Sequence, residues 1–195
     1  MGSASGAAGQ ARLSGDGGAN WKLVAVQGEA TRTNAMPDHT YNALFLGTGN
    51  AARSQMAEAL LNFMAKGRIR AFSAGSHPAA QVQPLAAELI AGLGVPKESL
   101  RTKSWDEFAG PGAPEMDFVI TLCDNAAGKV CPVWPGHPAV AHWGIPDPGL
   151  TPGDQHAFRE AWLALHLRIE LLLALPLEKL DRIAREQHLL LIANS

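Results

Sequence analysis

Short apolar runs alternate with amphipathic stretches from Tyr41 onward, and this alternation predicts strands and helices in turn. Four runs of strand length are predicted as buried strands, at residues 41–46, 69–73, 118–122 and 140–143. Apolar positions at helical spacing predict helices at 54–66, at 85–93 and from 155 onward, with a shorter terminal helix after Pro176. Strands that alternate with helices imply right-handed crossovers. The predicted fold is therefore α/β, with a single open parallel four-stranded sheet and helices on both faces.

The first 40 residues differ from this pattern. Residues 1–20 are mostly Gly, Ala and Ser, and such a composition buries too little apolar surface to offset the entropy of ordering. Residues 21–27, WKLVAVQ, fit a short accessory strand. We therefore expect a flexible N-terminal extension over 1–40, followed by one folded domain over 41–195.

Composition narrows the class of protein. The chain has 195 residues, of which 47% are hydrophobic, which suits one domain with a sizeable core. A net charge of -2 without a basic block gives no support to nucleic-acid binding. No apolar run approaches the roughly 20 residues that span a bilayer, and the first residues lack the basic-then-apolar order of a signal peptide. The expected location is cytoplasmic, without membrane attachment.

The loop between the first strand and the first helix is suited to an oxyanion. Its sequence over 47–53 is GTGNAAR. Gly47 and Gly49 allow the backbone to curl so that successive N–H groups point inward, and the following helix adds the positive end of its dipole. The guanidinium of Arg53 matches two oxygens of a tetrahedral anion. The alternative is a tight turn in which Arg53 pairs with a surface carboxylate.

Two cysteines, Cys123 and Cys131, flank the polar segment DNAAGKV. From these residues alone three interpretations remain open: two buried thiols, a redox pair, or zinc ligands together with His137 and His142. Zinc is the least favoured, since the chain has no closely spaced CxxC or HxxxH pair.

Five blocks in a fixed order resemble arsenate reductases built on the low-molecular-weight protein tyrosine phosphatase fold. They are YNALFLGTGNAARSQMAEALL at 41–61, FSAGSHPA at 72–79, FVITLCDNAAGKVCPVWPG at 118–136, AHWGIPDP at 141–148 and ELLLALPLEKLDRIA at 170–184. The resemblance covers nearly everything from Tyr41 to the C terminus. It implies the fold of that family and a reaction with arsenate or phosphate.

The resemblance also implies what the loop does and what it lacks. The family loop is Cys-x5-Arg, and Gly47 holds the position of the cysteine that attacks arsenate as a thiolate. Arg53 matches the anion-clamping arginine, Ser54 the neighbouring hydroxyl and Asn50 a brace inside the loop. The implied anion site comprises Gly47, Thr48, Gly49, Asn50, Ala51, Ala52, Arg53 and Ser54.

Other implied roles lie outside the loop. In the family relay, Cys123 attacks the arsenate adduct and releases arsenite, Cys131 resolves the disulfide, and thioredoxin or a small thiol resets the pair. Asp147 matches the general acid that faces the anion loop. Asn50, Glu58 and Ser73 match positions that bind potassium in some relatives. No tightly bound cofactor is expected.

Three functions follow from this pattern. The first is an oxyanion-binding or sensing protein that is impaired in covalent arsenate reduction, because Gly47 replaces the nucleophile. The second is an active arsenate reductase in which glutathione or mycothiol fills the space at Gly47 and Cys123 and Cys131 complete the redox step. The third is thiol–disulfide exchange alone. Phosphatase activity is least favoured, since a phosphoenzyme also needs the missing thiolate.

Overall fold

The computed structural model describes residues 11–14 and 22–25 by their backbone, and residues 39–122 and 134–195 in full. The chain divides into two compact units, residues 1–35 and 36–195. In the first unit, β1 (Ala11–Ser14) pairs antiparallel with β2 (Lys22–Ala25). Strand β2 lies within the predicted accessory strand, whereas β1 lies in a stretch for which no strand was predicted. Of the remaining residues of the extension, only 39 and 40 lie within the described ranges.

The second unit contains the predicted parallel sheet. Its strands are β3 (Tyr41–Gly47), β4 (Ile69–Gly75), β5 (Phe118–Thr121) and β6 (Ala139–His142), in the order β4-β3-β5-β6. All three pairings are parallel, and the register places Gly47 opposite Gly75. The carboxyl ends of the strands therefore meet at one edge, where ligands bind in open sheets of this kind.

Four α-helices in the described ranges follow the predicted order. They are α1 (Arg53–Met64), α2 (Pro84–Ala91), α3 (Gln155–Leu173) and α4 (Arg182–Ala193). Helix α2 begins and ends earlier than predicted, since its first residue is a proline, whose fixed φ and missing N–H suit that position. Helices α3 and α4 are each preceded by an N-cap aspartate. The side chains of Asp154 and Asp181 accept hydrogen bonds from backbone amides in the first turn.

Both faces of the sheet are covered, as predicted. One face packs against the α-helices, through Phe45 and Phe118 of the sheet, Trp143 directly after β6, and buried residues of α1 and α3. The predicted stripe of α3 lies in this core: its members Phe158, Leu165, Ile169 and Leu172 are buried and Trp162 is partly buried. The other face packs against a 3-10 helix, Trp105–Phe108, and against Trp134.

The buried indole of Trp143 holds the segment that follows β6. Its ring is fully buried, and its Nε1 donates a hydrogen bond to the carbonyl of Leu189 in α4 at 3.0 Å. Ile145 N donates to the carbonyl of Leu122 at 3.2 Å, just beyond the end of β5. These contacts hold residues 145–147 close to the loop between β3 and α1. Within the part of the chain that the structure describes, every helix is too short or too polar to traverse a bilayer.

Candidate oxyanion site

The loop between β3 and α1 curls around a pocket. Four of its carbonyl groups accept backbone hydrogen bonds of 2.8 to 3.2 Å from residues 76–83; they belong to Gly47, Thr48, Gly49 and Ala51. In a trans peptide the C=O and the following N–H point in opposite directions. The amides of residues 48, 49, 50 and 52 are therefore directed away from that outer segment. This arrangement provides the inward-facing donors that the glycine-rich sequence predicts.

Asn50 braces the loop from inside. It is 2% exposed and has a φ of 49°, a left-handed conformation in which asparagine is enriched. Its Oδ1 accepts from Gln55 Nε2 at 2.9 Å and from Lys103 N at 2.8 Å. Its Nδ2 donates to the hydroxyls of Ser54 and Ser73, both at 2.9 Å. One buried amide thus ties the loop to α1, to β4 and to residue 103.

Gly75 and Gly47, which face each other in the sheet, differ in what they require. A Cβ on Gly75 would lie 2.5 Å from the carbonyl oxygen of Thr48 and 2.9 Å from the amide nitrogen of Asn50. At Gly47 the nearest atom to a Cβ would be Ser54 Oγ at 3.5 Å, an ordinary contact, and its φ is outside the left-handed region. Close packing therefore requires glycine at position 75, whereas position 47 has room for a side chain.

Arg53 is the first residue of α1 and is held at the mouth of the loop. Its Nη1 donates to the carbonyl of Ile145 at 2.7 Å, and its Nη2 lies 3.2 Å from Asp147 Oδ2. The Arg53 side chain is 15% exposed and that of Asp147 is 43% exposed. The carboxylate of Asp147 also accepts from Gly149 N at 3.1 Å. The structure therefore brings the predicted clamp and the predicted acid together.

These groups enclose a pocket of about 360 Å³. It is lined by all eight predicted loop residues together with Ala79, Gln83 and Asp147. Helix α1 has no side-chain cap and no acidic residue in its first turn. Its N-terminal amides and the positive end of its dipole are therefore available to an anion in the pocket.

Behind the loop, the structure joins the three residues that the resemblance relates to potassium. The Ser73 hydroxyl donates to Glu58 Oε2, and Ser73 also accepts from Asn50. The same carboxylate oxygen of Glu58 lies 2.7 Å from the ammonium of Lys103.

Sequence reasoning missed two members of this network, Gln55 and Lys103. The sequence shows Gln55 only as a polar residue of the predicted helix, and its burial (3% exposed) is seen only in the structure. Lys103 carried no signal, because it lies in a loop without periodicity. Cys123 and Cys131 lie outside the described residues, so the predicted redox relay stays a prediction.

Replacing Asp147 with asparagine is expected to strengthen phosphate binding by about 10-fold, since the variant removes a negative charge that competes with the anion for Arg53. Isothermal titration calorimetry measures this, with Glu160→Gln as a control that removes the same charge from an exposed position on α3. Weaker binding in Asp147→Asn would show that the carboxyl group itself contacts the bound anion.

The fold and the loop together define an α/β protein whose glycine-rich loop curls at the carboxyl end of β3 and leads into a helix that begins with an arginine. Residues 42–187 match the family model of the low molecular weight phosphotyrosine protein phosphatases. The match spans more than half of the chain, and the chain belongs to this family.

Within the family, the chain is similar to arsenate reductases. It is 34% identical over 119 residues to an arsenate reductase of Shouchella clausii, covering 61% of this chain and 80% of that protein. The crystal structure of an arsenate reductase from Archaeoglobus fulgidus is 30% identical, with a TM-score of 0.55, and the alignment covers 68% of this chain and 99% of that chain. A structure described as an arsenate reductase in the phosphate binding state is 25% identical, with a TM-score of 0.53. This alignment covers 69% of this chain and 97% of that chain.

Proposed function

We propose that this chain binds arsenate or phosphate in the loop 47–54 and is impaired in the covalent reduction of arsenate. One observation carries the proposal. The pocket is lined by all eight residues of the loop 47–54 with Arg53 at its mouth, while the first position of the loop, Gly47, has no side chain.

The electrostatics of the pocket favour a tetrahedral dianion. Curled backbone amides, the N-terminus of α1 and the Arg53 guanidinium all present positive partial or full charge to the same space. Arsenate and phosphate have the same charge and shape, so a loop of this kind accepts both. The similar arsenate reductase whose structure is described as phosphate-bound supports this choice of ligand.

The missing side chain defines the chemical step that is impaired. Covalent reduction begins when a thiolate sulfur bonds to arsenic and displaces one hydroxyl group, which takes a proton and leaves as water. Gly47 presents only hydrogen, and the nearest side-chain atom, Ser54 Oγ, belongs to a hydroxyl that is not a two-electron reductant. The loop can therefore hold the anion, and Asp147 can protonate a departing oxygen, without a sulfur atom in the loop to begin the reaction.

A second candidate function follows from the open space at Gly47. A Cβ there would meet no atom closer than 3.5 Å, so the first position of the loop can admit an incoming sulfur. In this case glutathione, mycothiol or thioredoxin would supply the thiol, and Cys123 and Cys131 would complete the disulfide relay. We place such a reaction in the cytoplasm, where these thiols are kept reduced. Arsenite production with each thiol, and its loss in Cys123→Ser, tests this candidate.

The binding proposal predicts that Arg53→Ala weakens phosphate and arsenate binding by about 10- to 100-fold, the range expected for losing a charge-assisted hydrogen bond. Calorimetric titration of the wild type and the variant measures the change. Arg70→Ala removes an exposed arginine of β4 that lies over Phe72, away from the pocket, and should bind as the wild type does. If the wild type binds neither anion, the proposed function is wrong.

A further inference from the structure

We propose that Lys103 is a positioning residue for the anion loop, whose ammonium takes the place that a potassium ion would fill behind that loop. The inference rests on the proposed anion binding, since the loop is what Lys103 would position. The Lys103 ammonium lies 2.7 Å from Glu58 Oε2, and the two side chains are 12% and 24% exposed. The pair is thus a partly buried ion pair in direct contact with the network that braces the loop.

The residues that the family resemblance relates to potassium do not fit that ion in this chain. Potassium is bound by oxygen atoms that replace its hydration shell. The Lys103 backbone N–H can only donate, so the Asn50 atom facing it is Oδ1, and the atom facing Ser73 is the Nδ2 donor. Asn50 therefore offers no oxygen toward Glu58 and Ser73. The Glu58 oxygen that accepts from Ser73, Oε2, already has the Lys103 ammonium beside it.

The backbone of Lys103 is fixed by the same elements that form the site. Its N–H donates to Asn50 in the loop at 2.8 Å, and its carbonyl accepts from the amide of Gly75 at the end of β4, also at 2.8 Å. The side chain then reaches α1 through Glu58. Lys103 thus connects the loop, β4 and α1, which are the three elements whose relative positions shape the pocket.

A sequence of hydrogen bonds transmits this contact to the pocket. The Ser73 hydroxyl donates its hydrogen bond to Glu58, so the Ser73 oxygen can accept a hydrogen bond from Asn50 Nδ2. Asn50 Nδ2 also donates to Ser54 Oγ, and the Ser54 hydroxyl, which lines the pocket, can then donate to an anion bound there. Without Lys103, the Glu58 carboxylate would place an uncompensated negative charge behind an anion site.

The test is Lys103→Met, which keeps an unbranched side chain and removes the charge. Phosphate affinity and Tm are measured in potassium chloride and in sodium chloride at equal ionic strength. In sodium chloride the variant should bind phosphate about 10-fold more weakly than the wild type, as expected for loss of a positioning residue. Potassium should restore binding and raise Tm in the variant, because removing the ammonium leaves the Glu58 and Ser73 oxygens to hold a cation, with water in place of an Asn50 oxygen. The wild type should respond equally to both salts.

Arg101→Met is the matched control. It removes a cation two residues away whose partner, Glu107, forms an exposed pair with it, with side chains 62% and 41% exposed. This variant should show no preference for potassium. A purely structural role for Lys103 would lower Tm equally in both salts, and that result would overturn the proposal.

Two further outcomes separate this inference from the proposed function. If the wild type does not bind phosphate, the proposed function fails, while a potassium-specific rise in the Tm of Lys103→Met still supports the cation replacement. If Lys103→Met folds in neither salt, the double variant Lys103→Met/Glu58→Gln, which leaves no unpaired charge, is used. It should fold and show no response to potassium, and a potassium-specific response there would overturn the proposal.

Discussion

Gly47→Cys is expected to raise arsenate-dependent arsenite formation by about a thousandfold or more in the presence of a reducing thiol. Nucleophile variants of enzymes change rates on this scale or beyond. The structure allows the substitution, because a Cβ at position 47 makes only ordinary contacts and the backbone is outside the left-handed region. The new sulfur would lie near the Ser54 hydroxyl and the N-terminus of α1, and both stabilise a thiolate.

Gly49→Cys is the matched control for this gain of activity. It places a thiol in the same loop, but its Cβ would lie near Ala79 and Ala51 rather than beside Ser54. It should not raise turnover. If the wild type already reduces arsenate with an external thiol as fast as Gly47→Cys does, the impaired function proposed here is wrong and the external-thiol candidate is correct.

Gly75→Ala should lower the free energy of unfolding by about 3 kcal/mol and remove measurable phosphate binding. Its methyl group would lie 2.5 Å from the carbonyl oxygen of Thr48 and 2.9 Å from the amide nitrogen of Asn50. Both are backbone atoms, so relief requires the loop itself to move, and overpacking of this kind costs up to about 3 kcal/mol. A displaced loop no longer directs its amides to one point.

Urea unfolding and calorimetric titration measure the two effects of Gly75→Ala. Gly47→Ala serves as the control, because it adds the same methyl group to the residue opposite in the sheet, where there is room. This control should unfold within about 1 kcal/mol of the wild type, since a tolerated Gly→Ala change alters stability by less than that. Equal stability and binding in the two variants would contradict the packing argument for Gly75.

The fold was predictable from sequence where the pattern is strong. The run of residues 118–122 is apolar except for the β-branched Thr121, and the structure buries every residue of β5 in the centre of the sheet. Helix boundaries were less predictable: α2 starts one residue earlier than predicted, because the proline at its first position rather than apolar periodicity decides where that helix starts. Strand β1 lies in a sequence dominated by small residues, which carry little strand preference.

The candidate site also has a part that was predictable from the sequence and a part that was not. The anion loop was predictable because its residues are consecutive: a strand, two glycines, an arginine and a helix suffice to orient the donors. The pairing of Arg53 with Asp147, 94 positions later in the chain, needed the family resemblance before the structure placed the two side chains 3.2 Å apart.

The sequence by itself determined that the first position of the loop holds no nucleophile, since the identity of Gly47 settles which atoms are present. Only the tertiary structure decided that position 47 has room for a side chain while position 75 has none. Only it could bring Lys103 to Glu58, behind the loop. The physical reason is that close contacts and ion pairs depend on distances in space, and residues 45 positions apart acquire such distances only when the sheet and helix pack.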